Sequence, residues 1–255
     1  MRHLKQVSER KGDALQSKCD FGHLADSGIF PNLTSSEIAH LSSIARSCVF
    51  EENEVIFEAG DRLSTFIMIE DGTARLYRAS ADGHRQVLGF LGVGDVLGAI
   101  KRNDVAYCSA QAIGRIEACC FNRSSLRTLM NDNANLCMTL LVAATDEIET
   151  QYDHSVILSH RHANKRLAAF LILWSASRNP LSDRQDLIQL PMPRSDIADY
   201  LGLTIETVSR VFGEFKTKGL VELQGSKVVV LKNLPALYDL AEFHESPDRR
   251  VSIGL

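Results

Sequence analysis

The six cysteines of this 255-residue chain form no C-x-x-C pair and no Cys/His spacing of the kind that holds a structural zinc ion. Cys19, Cys48, Cys108, Cys119, Cys120 and Cys137 are therefore expected mostly as reduced thiols, acting as small buried hydrophobes. Long apolar runs are also missing. The longest charge-free apolar stretch, Asn133 to Thr145, is too short for a bilayer and is partly polar, which argues against a membrane-spanning helix. The opening "MRHLKQVSERKGDALQSK" has no apolar segment suited to secretion, so residues 1–29 are expected as a mobile leader of a cytoplasmic protein. Histidine is scarce where a cupin-type metalloenzyme would need it. Residues 50–121 hold only His84, beside an Asp-Gly turn, while His40, His160 and His162 lie elsewhere. No Ser/His/Asp order, phosphate loop or paired-carboxylate site stands out, and the chain is expected not to be an enzyme.

What is present is 45% hydrophobic content, enough for the cores of one large or two medium domains. The net charge of −4 hides an asymmetry. Residues 1–159 carry 15 Lys and Arg against 21 Asp and Glu, residues 160–232 carry 11 against 7, and residues 233–255 carry 2 against 4. An acidic body joined to a basic module suggests that the module alone touches something anionic.

The pattern predicts an α+β chain. Residues 30–123 read as short strands with glycine turns: "VIFEAG", "TFIMIEDG", "TARLYRASADG", "RQVLGFLGVGDVLG" and "IEACCF". Asp71-Gly72 and Asp82-Gly83 are hairpin signals, and the set argues for a β-roll or jelly roll. A helix "TSSEIAHLSSIARS" precedes it, capped by Thr34, Ser35 or Ser36. Residues 124–160 change period, with Leu136, Leu140, Ala144, Ile148, Gln151, Ser155 and Leu158 recurring every three or four residues. Such a stripe suits packing on its own barrel or a homodimeric seam of Leu140, Ala144, Ile148, Gln151 and Ser155. Residues 161–235 read as a second module, and residues 236–255 as a tail.

Within that module, "RSDIADYLGLTIETVSRVFGEF" has the pattern of a helix-turn-helix. Ser195 is expected to cap a first helix that turns Ile197, Ala198 and Leu201 inward. Gly202 sits at the turn, and Thr204 caps a second helix. That second helix buries Val208, Val211, Phe212 and Phe215, leaving Glu206, Ser209 and Arg210 on the opposite side at i, i+3 and i+4. Arg210 can donate twice to guanine O6 and N7, Glu206 can accept from a cytosine amino group, and Ser209 can reach either kind of edge. Glu206, one turn earlier, is expected to hold the Arg210 guanidinium. "LVELQGSKVVVL" completes the module as a hairpin wing turning at Gln224-Gly225-Ser226.

From about residue 30 to 232, with "LGFLGVGDVLG", "KRLAAFL" and "IADYLGLTIETVSR" as its most specific parts, the chain resembles the CRP/FNR family of bacterial transcription regulators. The resemblance implies a cyclic-nucleotide-binding-like β-roll, a long central dimerisation helix and a C-terminal winged helix-turn-helix. The E-x-x-S-R pattern resembles that of the FNR and FixK branch, and implies a homodimer on an inverted repeat of TTGAT-like half-sites. Arg210 would then take the guanine, Glu206 the cytosine opposite and Ser209 a thymine. Arg194, Thr204, Lys216, Lys218 and Lys227 would contact phosphates, positioning without specifying sequence. RNA polymerase is the further partner implied, with activation as the outcome.

Three signals compete. Relatives that bind cAMP have a Gly-Glu pair and an Arg-Ser pair; here the first position reads Gly98-Ala99, and "NDVAYCSAQA" supplies no Arg for a buried phosphate. A [4Fe–4S] cluster needs four thiolates. Cys119 matches the internal ligand of the FNR branch and Cys19 lies near its amino-terminal ligands, but the remaining partners are missing, and His23 is a poor substitute. The third reading is a FixK-like dimer with no cofactor. A haem- or NO-sensing relative is also compatible with these residues, and Cys19 and Cys119 are candidate redox thiols, with Cys108 and Cys120 beside them.

Overall fold

The computed structural model describes residues 19, 33–80, 83–98, 104–177 and 186–243. Most of the expected leader, with His23, and most of the expected tail lie outside the described residues. The chain divides into two compact units, one drawn mainly from residues up to 147 and the other mainly from residue 148 onward.

The first unit opens with α1 (Ser35–Ile44), started by a capping box. The Thr34 hydroxyl accepts from the Glu37 amide, and the Glu37 carboxylate accepts from the Thr34 amide at 2.6 Å. The helix stops three residues short of the predicted Ser47 because Ala45 begins β1 (Ala45–Phe50), paired antiparallel with β8 (Ile116–Asn122). Pairing seventy residues away, rather than local propensity, makes this segment a strand. Between them come β2 (Val55–Phe57), β3 (Thr65–Asp71), β4 (Ala74–Ala79), β5 (Arg85–Leu91), β6 (Val96–Leu97) and β7 (Ser109–Ala112).

Two four-stranded sheets result, in orders β1-β8-β3-β6 and β2-β7-β4-β5. The β3–β4 turn needs its glycine: Gly72 has φ +93°, and a Cβ there would lie 2.5 Å from the Arg115 carbonyl oxygen. Phe50, Ile56, Phe57, Leu63, Ile67, Ile69, Leu91, Leu97 and Ile116 fill the roll. Because strand side chains alternate, Phe66, Met68, Cys119 and Phe121 face the other way. They form a second core with Cys19, Leu41, Leu126 and Leu136.

Within residues 124–160 the expected long helix is present, preceded by a separate shorter one. α2 (Arg123–Asn131) is capped by the Asn122 side chain. α3 (Ala134–Ser159) begins afresh after Asp132, the C-cap of α2, with the Asn133 side chain accepting from the Leu136 amide at 2.9 Å. Among the described residues no helix is long and apolar enough to cross a membrane.

The cysteines correct the expectation of reduced thiols. Cys19–Cys119 and Cys48–Cys120 are disulfide-bonded, with Cα separations of 6.0 and 6.2 Å, and only Cys108 and Cys137 remain thiols. The β1–β8 register sets Cys48 opposite Ala118, so Cys120 is its diagonal neighbour, within bonding reach.

The second unit contains α4 (Ala163–Ser177), β9 (Leu187–Gln189), α5 (Arg194–Leu201), α6 (Ile205–Thr217), β10 (Val221–Gln224), β11 (Val228–Leu231) and α7 (Leu234–Ala241). Its sheet runs β10-β11-β9. Leu167, Phe170 and Leu171 of α4 are buried in it, as are Ile197 and Leu201 of α5 and Val208 and Phe215 of α6. α7 runs across the boundary expected at residue 235: Asn233 caps it, Pro235 lies in its first turn, and Leu237 and Ala241 are buried.

Candidate nucleic-acid interface

The two helices α5 and α6 are joined at Gly202, which has φ +60° and ψ +42°. In that left-handed conformation the Leu203 amide donates back to the Ala198 carbonyl at 2.9 Å, closing α5. The turn is pinned from α4 as well. Arg166 donates to the Leu201 carbonyl at 2.8 Å and to the His160 carbonyl at 2.9 Å. His154 of α3 stacks on Tyr200, with ring centroids 3.8 Å apart, and its Nε2 donates to the Tyr200 carbonyl at 2.8 Å. A carbonyl only accepts, so this neutral ring carries its proton on Nε2, and burial holds its pKa below the ordinary value. Neither Arg166 nor His154 stands out in the sequence, since each works through a backbone carbonyl.

Ser195 does not cap α5. Pro193 holds the cap position with no side-chain hydrogen bond, and Ser195 lies inside the helix. Proline at this point supplies an extended backbone, which suffices to start a helix. Thr204 caps α6 as expected, accepting from the Thr207 amide at 3.2 Å. Its hydroxyl also bonds the Glu206 carboxylate, and Thr204 is exposed at the helix start.

On α6, Val208, Val211, Phe212 and Phe215 are buried, while Glu206, Ser209 and Arg210 are exposed. Glu206's own backbone amide and the Thr204 hydroxyl hold its carboxylate below the usual range. Arg210 departs from expectation. Its Nη1 donates to Glu214 at 2.5 Å, one turn later, and not to Glu206. Glu206 is drawn toward the helix start, where the unsatisfied amides lie, which leaves Glu214 as the i+4 partner. Spacing alone allowed either acid.

Lys216, Lys218 and Lys227 are exposed, the last at the wing turn between β10 and β11. Arg194 is only half-exposed: its guanidinium carbon sits 3.4 Å from the centroid of the Phe212 ring, and burial lowers its pKa to about 10. It remains a cation at neutral pH, and its Nη1 has no hydrogen-bond partner among the described residues.

On α3 the expected seam is divided. Ala144, Ile148 and Ser155 are exposed, and Gln151 is half-buried, but Leu140 packs beside Leu136 against the second core, on the outer side of the roll. The large exposed apolar residues of α3 are Met138, Leu141, Ile148, Tyr152, Val156 and Leu158. Ile148 and Leu158 are shared with the stripe read in the sequence; Leu136 and Leu140 are not exposed because the first turns of the helix bury a face against the roll. In the roll itself, the Gly98 carbonyl accepts from buried Arg123 at 2.5 Å, and Arg123 also pairs with Asp104.

The geometry agrees with what the chain is similar to. Residues 165–240 match the Crp-like helix-turn-helix domain, and residues 48–133 match the cyclic nucleotide-binding domain. The chain is 33% identical over 205 residues to the nitrogen fixation regulation protein FixK of Bradyrhizobium diazoefficiens, covering 80% of this chain and 86% of that one. It is 31% identical over 229 residues to the transcriptional activatory protein AadR of Rhodopseudomonas palustris, covering 89% and 94%. The structure of FixK2 from Bradyrhizobium japonicum superposes with a TM-score of 0.71 at 28% identity, over 80% of this chain and 99% of that one. This protein therefore belongs to the CRP/FNR family of DNA-binding transcription regulators and is FixK-like.

Proposed function

We propose that the protein acts as a homodimer that reads an inverted repeat of TTGAT-like half-sites and activates transcription through RNA polymerase, without a cofactor. The observation that carries the reading is α6, whose apolar face is buried while Glu206, Ser209 and Arg210 stand exposed together on the other. Arg210 takes the guanine, Glu206 the cytosine of the same pair and Ser209 a thymine. Glu214 holds the guanidinium before DNA arrives and limits the side-chain entropy lost on binding. Lys216, Lys218 and Lys227 neutralise phosphates, and Arg194, stacked on Phe212, is a fourth cation at the edge of the same helix. The exposed apolar stripe of α3, centred on Ile148, supplies the dimer seam. Two copies of α6 then enter successive major grooves, about 34 Å apart. Activation rests on likeness to AadR, whose name describes that role.

The absence of a cofactor rests on chemistry. A [4Fe–4S] cluster needs four thiolates. The described residues bring together Cys19, Cys119 and the Glu70 carboxylate, and the sequence holds no second cysteine before Cys48. These residues do not fit a four-thiolate cluster. Anaerobic purification, an optical spectrum and a gel shift on a TTGAT inverted repeat test the reading. A colourless protein that shifts this duplex, and loses the shift when the G·C pairs are exchanged, is expected; a brown or red protein, or one indifferent to sequence, overturns it.

A further inference from the structure

Two consecutive residues of β8, Cys119 and Cys120, are bonded to different parts of the chain. Cys119 faces the core shared by α1, α2 and the first turns of α3, where it joins Cys19. Cys120 faces the core of the roll, where it joins Cys48 of β1. We propose that these four sulfurs form a two-sided thiol–disulfide site, oxidised by a peroxide or a low-molecular-weight disulfide, that fastens the chain at Cys19 and at β1 to β8.

The inference rests on the DNA-binding reading in one respect: DNA lies in a reducing compartment, where a protein disulfide is a reversible state rather than a permanent tie. The surroundings suit both states. The Cys19 sulfur, the Cys119 sulfur and a Glu70 carboxylate oxygen lie within 4.8 Å of one another. Burial among apolar side chains disfavours a charged form there. The two uncharged forms, dithiol and disulfide, are the ones this pocket accepts. On the other side, the Cys48 sulfur lies 3.4 Å from the Ala118 carbonyl oxygen, an acceptor ready for the thiol once the bond is opened.

The pairs differ in access. Cys19 and Cys119 are 4% and 0% exposed, whereas Cys48 and Cys120 are half-buried. Access governs the rate of exchange, so the Cys48–Cys120 pair exchanges first. With hydrogen peroxide, one thiolate attacks a peroxide oxygen, giving a sulfenic acid and hydroxide. The second thiol then attacks that sulfur, the S–O bond breaks and water leaves. Overall, two thiols and one peroxide give one disulfide and two waters. Two molecules of glutathione reverse the step and leave as glutathione disulfide.

The test uses the full-length protein, reduced anaerobically and then exposed to hydrogen peroxide or glutathione disulfide, with thiols counted by alkylation and mass spectrometry. Six thiols are expected to fall to two, at Cys108 and Cys137, and to return on reduction. Reduction is expected in two phases, the slower by about tenfold or more because access limits it. Cys19→Ser removes the slow phase and Cys48→Ser the fast one, while Cys137→Ser keeps both. Stoichiometric zinc or iron in the anaerobic protein, sulfinic acids in place of disulfides, or bonds that survive a cytosolic glutathione ratio would overturn the proposal. Gel shifts on both forms keep the readings apart: a protein that cycles between six and two thiols yet ignores DNA supports this site and sinks the DNA reading.

Discussion

Arg210 illustrates how a surface residue acquires a role through its neighbours. The pair with Glu214 is exposed and spaced i,i+4, so it adds only about 0.3–0.5 kcal/mol to stability. Its contribution lies in aiming the fork. If Arg210 reads a guanine as proposed, Arg210→Ala is expected to cost about 1–3 kcal/mol of discrimination at that base pair, with little change in melting temperature. Binding titrations on the operator and on a duplex with that pair exchanged measure this. His154 makes the opposite case, a buried residue that titrates. Burial lowers its pKa below the ordinary 6.5, so below that pH the unfolded chain takes up a proton that the folded chain refuses. Its contribution is complete above pH 6.5 and declines as pH falls toward the lowered value. His154→Phe keeps a ring on Tyr200 and is expected to flatten the fall of unfolding free energy as pH drops below 6.5, measured by urea denaturation.

At the level of elements, much was legible. The periodicity of Val208, Val211, Phe212 and Phe215 reports a helix that must bury one side, and Gly202 and Thr204 mark its start because their constraints are local. What was hidden depends on distant pairing. β1 looks like a continuation of α1 until β8 is opposite it. β7, within a loop-like "CSAQA", is a strand only because β2 and β4 flank it. The disulfides were hidden for the same reason, because sequence spacing carries no register. The stripe of α3 was legible in period but not in which part is buried: Leu140 packs against the second core and Ile148, 50% exposed, does not. Ile148→Glu is therefore expected to yield monomers with an intact roll, and Leu140→Glu to unfold the roll first. Sedimentation velocity and the thermal melt, run on both variants, separate the two; an unchanged sedimentation profile for Ile148→Glu would remove α3 from the interface.

For the whole molecule, the segregation of charge sets how it meets a polyanion. The basic stretch 160–232 approaches DNA while the acidic remainder is repelled, which favours one orientation of encounter. Lys218→Ala is expected to weaken binding to all duplexes alike and to lower the slope of log affinity against log salt by about 0.9 per protomer. Titrations from low to moderate salt on specific and random duplexes measure it, and an effect confined to the operator would make Lys218 a base reader.

The adjacency of Cys119 and Cys120 has a consequence for how this chain tolerates change. Side chains along a strand alternate, so one residue inserted or deleted ahead of them in β8 would send each sulfur to the wrong side and part both pairs at once. Loops of the roll can lengthen cheaply; this strand is instead a ruler, in which the number of residues matters as much as their kind.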